Sequence, residues 1–165
     1  MVEATGSGTA TVTLPTDQQI LITRAFAAPR HLVYRAWTTP ELVRRWWSGR
    51  QGEMTTCEID LRVGGRWRYV MVTGEGFEVA FSGEYREIVP NERIVTTEVY
   101  EQPGAPEGEG VLNIVTFTET DGRTTLSLLV QAASREERDA ILDSGMEVGM
   151  QQQLELLEQV AISLR

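Results

Sequence analysis

Few side chains in this sequence could carry chemistry, and their types narrow what that chemistry is. There is one histidine, His31, and one cysteine, Cys57. A Ser-His-Asp triad would have to use His31, which stands near the start of a short helical stretch, at an expected solvated position. One His and one Cys do not make a zinc ligand set, and a lone Cys excludes an internal disulfide. No G-x-S-x-G, G-x-x-x-x-G-K or G-x-G-x-x-G run occurs. All 15 basic residues are arginines, and without lysine there is no Schiff-base or Walker-lysine chemistry. No catalytic residue, metal or cofactor is expected. Carboxylates remain: Glu58, Asp60, Glu78 and Glu84 fall in strand-like segments, where a buried one with a raised pKa acts as acid or base. Pairing across strands with Arg62, Arg66, Arg68 or Arg86 on an outer face is the other reading of the same residues.

The second concentration is aromatic. Three of the four tryptophans, Trp37, Trp46 and Trp47, fall within residues 36–49, "AWTTPELVRRWWSG". Neighbours on a helix point in different directions. Trp46 and Trp47 therefore divide, one packing as core under the end of a sheet and the other lining the mouth of a cavity, or else both are pure core. Trp67, Tyr69, Phe81 and Tyr85 face inward on their strands, where they line the same cavity or only pack the core. Gly145 and Gly149, beside Met146 and Met150, each cost about 1 kcal/mol relative to Ala inside a helix, and methionine adapts to irregular shapes. Together they free space for a ligand at the middle of a helix, or else permit close backbone packing or a bend. The candidate ligand-binding set is Trp46, Trp47, Trp67, Tyr69, Phe81, Tyr85, Met146, Gly149, Met150 and Gln153.

Size and charge bound the rest. A chain of 165 residues fits one domain and buries about 70% of its unfolded surface. The net charge of −9 argues against nucleic acid and anionic membranes as partners. No run approaches the ~18 apolar residues of a membrane span. The segment "MVEATGSGTATVTLPTD" lacks the basic and apolar regions of a signal peptide. A loose tail over 1–17, one domain over 18–165 and a cytoplasmic location are expected.

The elements that must position these residues follow from the pattern. "QQILITRAFAAP" predicts a strand over 20–26, ended by Pro29 at the first turn of a helix. Thr39 as cap, Pro40 and Glu41 predict a second short helix, running to about Trp47. From Thr55 to Gln131 the signals are strands and turns. A three-residue loop Val63-Gly64-Gly65, with Gly65 left-handed, pairs Leu61 with Trp67, Ile59 with Tyr69 and Cys57 with Met71. Phe77, Val79, Phe81 and Tyr85 share a side of the next strand. Pro90-Asn91 turns the chain, "QPGAPEGEG" is an acidic loop, and Asp121-Gly122 closes a hairpin with Phe117 opposite Leu126 and Val115 opposite Leu128. Ser134 caps one long final helix, with an apolar stripe through Leu142, Met146, Met150, Gln153, Leu157, Val160 and Leu164.

Taken with these residues, "ITRAFAAPRHLVYRAWTTPELVRRWW", "IDLRVGGRWRYVM", "FSGEYREIVPNERIVTT" and the final helix resemble the activator of heat-shock protein 90 ATPase homologue-like domains, in the START and birch-pollen-allergen-like superfamily. The resemblance covers roughly 20–164. It implies an α+β helix-grip fold: a curved antiparallel sheet wraps a long C-terminal helix, two short helices follow the first strand, and a cavity for an apolar molecule lies between sheet and helix. The superfamily includes lipid carriers, hormone receptors, cyclases and cochaperones, so the resemblance transfers no single reaction. The reading adopted is non-catalytic binding of a small apolar or aromatic molecule; the alternatives are a cyclase- or hydrolase-like enzyme using an inward carboxylate or tyrosine, and a chaperone partner acting in the stress response. The eukaryotic cochaperone carries a further N-terminal docking domain where this sequence has a short polar segment. Stimulation of the chaperone's ATPase by this chain alone is not expected.

Overall fold

The computed structural model describes residues 9–101 and 110–165. Their elements in chain order are β1 (Thr11–Thr13), β2 (Gln19–Phe26), α1 (Arg30–Thr38), α2 (Pro40–Val43), β3 (Gly52–Ile59), β4 (Arg66–Thr73), β5 (Glu78–Val89), β6 (Arg93–Glu101), β7 (Val111–Thr120), β8 (Arg123–Gln131), α3 (Arg135–Asp143) and α4 (Met146–Ser163). The strands form one sheet in the order β1-β2-β8-β7-β6-β5-β4-β3, and every pairing between named strands is antiparallel. This is the helix-grip architecture. The acidic loop, apart from Gly110, and the first eight residues of the expected tail lie outside the described residues.

Strand alternation decides which residues face the helices. In β2, Ile20, Ile22, Arg24 and Phe26 are buried in turn. They stand opposite Val130, Leu128, Leu126 and Thr124 of β8. Asp121 and Gly122 both take positive φ, 55° and 76°, as a two-residue hairpin turn demands. Phe117 meets Leu126 and Val115 meets Leu128, the register read from the sequence. α4 lies across this inner face with Leu154, Leu157, Val160 and Ala161 buried. Beneath it Arg24 reaches Glu158 at 3.3 Å and lies 4.8 Å from the centre of the Phe26 ring. Glu158 also accepts from the Ala27 backbone N–H at 2.8 Å. This charge pair joins sheet to helix, and the periodicity alone did not disclose it.

Four expectations are corrected. The expected tail is partly strand, because Thr11–Thr13 pairs with β2 and Ala10 is clasped from both sides by the Gln151 amide, at 2.9 and 3.0 Å. The single long helix is two: Ser134 does cap α3, but Ser144 and Gly145 break the chain, and Gly145 enters α4 at φ 83°. The β3–β4 connection is longer than the three-residue loop. Gly64, not Gly65, is left-handed at φ 86°, and the pairs are Ile59 with Trp67 and Cys57 with Tyr69. The faces come out as expected because a two-residue slip preserves them, but Leu61 is left exposed. Phe77 precedes β5 and is 65% exposed, so it does not join the inner row.

Candidate functional site

Trp46 and Trp47 do divide. Trp46 is buried, its ring 5.0 Å from that of Trp37, and its indole N–H donates to the Ala36 carbonyl at 2.9 Å. Trp37 in turn stands edge-on to Phe117 at 6.2 Å, and Tyr34 does so at 5.6 Å. This closed cluster fills the space between α1 and β7 with its indole donor satisfied. Trp47 turns the other way and is half-buried. It stands edge-on to Tyr69 at 5.3 Å and to Phe81 at 5.6 Å. Tyr69 adjoins Trp67 at 4.8 Å, and Phe81 stacks on Tyr100 at 5.0 Å. Tyr100 is 45% exposed, so this second cluster runs from the interior to the surface.

The register explains the second cluster. Tyr69 is opposite Phe81 in the β4–β5 ladder, and Phe81 is opposite Tyr100 in the β5–β6 ladder, so the three form one cross-strand row. The next row holds Ile59, Trp67 and Gly83, then Glu98 and Val111 on β6 and β7. Gly83 has no room for a side chain. A Cβ there would lie 1.8 Å from the Thr97 carbonyl oxygen and 2.7 Å from Trp67 Nε1, because the Trp67 indole crosses it to donate to that carbonyl at 3.2 Å.

Glu98 is the residue that sequence reasoning missed. Ile94 and Val115 are a buried inner pair, and the same face continues through Thr96 with Asn113 to Glu98 with Val111. Glu98 accepts from Asn113 Nδ2 at 2.7 Å. Loss of hydration raises its pKa above the ordinary carboxylate value, partly offset by that hydrogen bond. Yet the side chain keeps some accessible surface, as do its inner-face neighbours Phe81, Thr96, Val111, Asn113 and Leu128. The carboxylate is thus largely, but not wholly, withdrawn from water. The available signal was the alternation Ile94, Thr96, Glu98, Tyr100, which puts Glu98 inward once Ile94 is assigned to the core.

The other candidates are placed as follows. Tyr85 is buried next to this row, and Met150 is buried on α4. Met146 is half-buried against the core. Gln153 Nε2 donates to the Trp47 carbonyl, and Gln152 Oε1 accepts from the Arg50 N–H at 3.2 Å. Adjacent glutamines of α4 thus hold the segment that carries Trp47. Trp46 belongs to the closed cluster and is not brought to the others. Gly149 faces Gln51, whose amide nitrogen lies 3.0 Å from where a Cβ would stand, while Gly145 has open space around it. The glycines serve the Gln51 side chain and a helix break, respectively.

The outer face holds the carboxylates read from the sequence. Asp60 pairs with Arg62 at 2.9 Å and Glu84 with Arg86 at 2.8 Å. Glu58 stands opposite Arg68, which binds Glu101 at 2.9 Å. An open groove of about 280 Å³ runs over Glu58, Arg66, Arg68, Ser82, Glu101 and the edge of Trp67; it is charged and solvated, unlike the inner face. His31 is exposed. Burial pushes the Cys57 thiol up to about 11 and raises the Tyr69 and Tyr85 phenols, so all three stay protonated at neutral pH. Among the described residues no group of three His, Cys, Asp or Glu is placed to hold a metal ion.

Residues 27–161 match the family model described as activator of Hsp90 ATPase homolog 1-like protein. The chain belongs to that family. A crystal structure of a Rhodobacter sphaeroides protein is 26% identical, covering 94% of this chain and 99% of its own, at a TM-score of 0.84. One from Chromobacterium violaceum is 28% identical, over 88% and 98%, at 0.77. A Mycobacterium smegmatis protein is 25% identical, over 94% and 97%, at 0.79. A comparison with curated proteins finds no match. The family match spans α1 to most of α4, so both aromatic clusters lie within it. No helix is long and apolar enough to cross a membrane among the described residues.

Proposed function

We propose that the protein binds a small apolar or aromatic molecule between the sheet and α4, without transforming it, in the cytoplasm. The observation that carries this reading is the aromatic row Trp47, Tyr69, Phe81 and Tyr100, which leads from exposed surface to inner-face residues that α1 and α4 leave unsealed. Binding sites are concave, mostly apolar and carry few polar groups, which matches this row with its single carboxylate and amide. Trp47 hangs on a segment held by side-chain amides of α4. Each such hydrogen bond is worth about 0.5–1.5 kcal/mol, weak enough for the mouth to open without unfolding the domain.

N-phenyl-1-naphthylamine, a dye whose emission rises in apolar surroundings, tests the reading. It should bind saturably at one per chain, and Trp47→Ala or Phe81→Leu should weaken it while Phe77→Ala leaves it unchanged. Emission that never saturates, or that is indifferent to both inner variants, overturns the reading. Native mass spectrometry of freshly purified protein should show a retained small molecule. The enzyme reading is favoured by one observation, the desolvated Glu98 carboxyl beside Tyr69. A carboxyl and a protonated phenol of separated pKa would be the acid–base pair of such an enzyme, whereas the aromatic row supports binding.

A further inference from the structure

We infer that the molecule held in the grip is an amine: an apolar or aromatic body whose ammonium group is bound by the Glu98 carboxylate beside Trp67 and Tyr69. This rests on the binding reading above and narrows it to a chemical class.

Glu98 has one polar partner among the described residues, the Asn113 amide. An ionised carboxylate offers about four acceptor positions, so most of its capacity is unused. Among the described residues no ion pair joins it to an arginine, and the Asn113 hydrogen bond favours its ionised form. The inward arginine on the inner face, Arg24, is committed to Glu158. A carboxylate taken out of water without a cation is costly, which is why such groups are ordinarily paired. Thr96, Val111, Asn113 and Phe81 around it are only partly buried, so a cation brought by a ligand could reach the carboxylate.

The surroundings fit an ammonium better than a neutral donor. Trp67 hydrogen-bonds the carbonyl of Thr97, the residue before Glu98, so its ring lies in the same cross-strand row. Tyr69 lies in the adjacent cross-strand row, opposite Phe81, which is opposite Tyr100, two residues from Glu98 on β6. Aromatic faces attract a cation within about 6 Å, most strongly when desolvated. A hydroxyl would recover one hydrogen bond but leave the charge uncompensated. The Asn113 amide occupies one acceptor position of the carboxylate and leaves the others for a ligand. Phe81, Val111 and Leu128 offer apolar surface for the body of the ligand. The net charge of −9 favours the approach of a cation at low ionic strength.

Three probes that share one body separate the outcomes: 3-phenylpropylamine, 3-phenylpropan-1-ol and propylbenzene. Dissociation constants are read from shifts of the tryptophan indole N–H resonances in wild type and in Glu98→Gln. Charge-assisted hydrogen bonds are worth about 1.5–3 kcal/mol, which corresponds to at least about tenfold in affinity. The amine should bind wild type at least about tenfold more tightly than propylbenzene, and Glu98→Gln should remove that preference while leaving propylbenzene within about twofold. Equal binding of amine and hydrocarbon by wild type overturns the inference and leaves the binding reading standing. So does an alcohol that binds as tightly as the amine, which would make the site one for neutral donors. A Glu98→Gln variant that retains the amine preference also overturns it. If none of the three binds while the dye still does, the amine class is overturned and the binding reading stands; if the dye fails as well, both fall.

Discussion

Two adjacent tryptophans end in opposite kinds of surroundings. Trp46 is enclosed, stacked on Trp37 and hydrogen-bonded to Ala36. Trp47 is half-buried, and its row of rings ends at exposed Tyr100. α4 repeats the contrast along its length. Its second half buries Leu154, Leu157, Val160 and Ala161 and is joined to the sheet by Arg24 and Glu158. Its first half carries Gly149 and three consecutive glutamines that bond to backbone at Ala10, Arg50 and Trp47. Apolar packing closes one end, while exchangeable hydrogen bonds hold the other. Apolar burial is lost in bulk when a side chain is removed, whereas an amide that lets go of a backbone group can bond to water. The second end is thus the one through which the proposed ligand would enter.

The largest expected effect sharpens that contrast at its source. Trp46→Ala should destabilise the domain by about 3–5 kcal/mol, as truncation of a fully buried aromatic does. Trp47→Ala should cost about 1–2 kcal/mol, in proportion to its smaller buried apolar area, yet it should reduce dye binding more than any variant in the closed cluster. Urea melts and dye titrations of both variants check this. Equal destabilisation would break the distinction between the two ends.

The two glycines near the start of α4 should respond with opposite signs. Gly145→Ala forces a side chain into φ 83° and should cost about 1–2 kcal/mol, the penalty of the left-handed region. Gly149→Ala sits in regular helix and meets only the flexible end of Gln51. It should gain up to about 1 kcal/mol, less whatever Gln51 loses by moving. A loss at Gly149 would mean that the Gln51 contact is rigid and the mouth tighter than its hydrogen bonds indicate.

The smallest effect is expected in the pH dependence of stability. Burial raises the pKa of folded Glu98 above the ordinary 4.5, so its protonated form favours the fold. That stability is present below pH 4.5 and is lost as pH rises toward the folded value. Wild type and Glu98→Gln should therefore melt alike in acid, with the variant more stable at neutral pH in the absence of ligand. A variant less stable than wild type at neutral pH would indicate that Glu98 has a cationic partner within the fold.

Much of this architecture was legible from short-range rules. Asp121-Gly122 demanded its hairpin and fixed the β7–β8 register, and Ser134 capped α3 as its side chain requires. The faces of β3 and β4 could be read although their register could not, because a slip of two residues preserves the alternation that was the evidence. The break at Gly145 was hidden, since a glycine in a helical pattern costs about as much energetically as some tolerated interior positions. Of the candidate site, Trp47, Trp67, Tyr69, Phe81 and Met150 were legible by type and spacing. Gly83 and Tyr100 were not, because their roles come from a cross-strand neighbour.

Pattern and composition determined by themselves the order of a strand, two short helices, a run of antiparallel strands and a closing helical segment, and that histidine, cysteine and lysine chemistries are excluded or unsupported, while the grip of sheet on helix was implied by the family resemblance. The order and the exclusions follow from local periodicity, turn geometry and the inventory of side chains, none of which needs a distant contact. Only the tertiary structure decided which tryptophan is sealed, that Arg24 meets Glu158 across 134 residues, and that Glu98, rather than the carboxylates singled out along the strands, faces inward. The physical reason is that burial is set by what lies opposite. A carboxylate in an alternating strand is solvated or desolvated according to whether a helix, a neighbouring strand or water occupies the far side; the alternation through Ile94 marks the face of Glu98 but not what covers it.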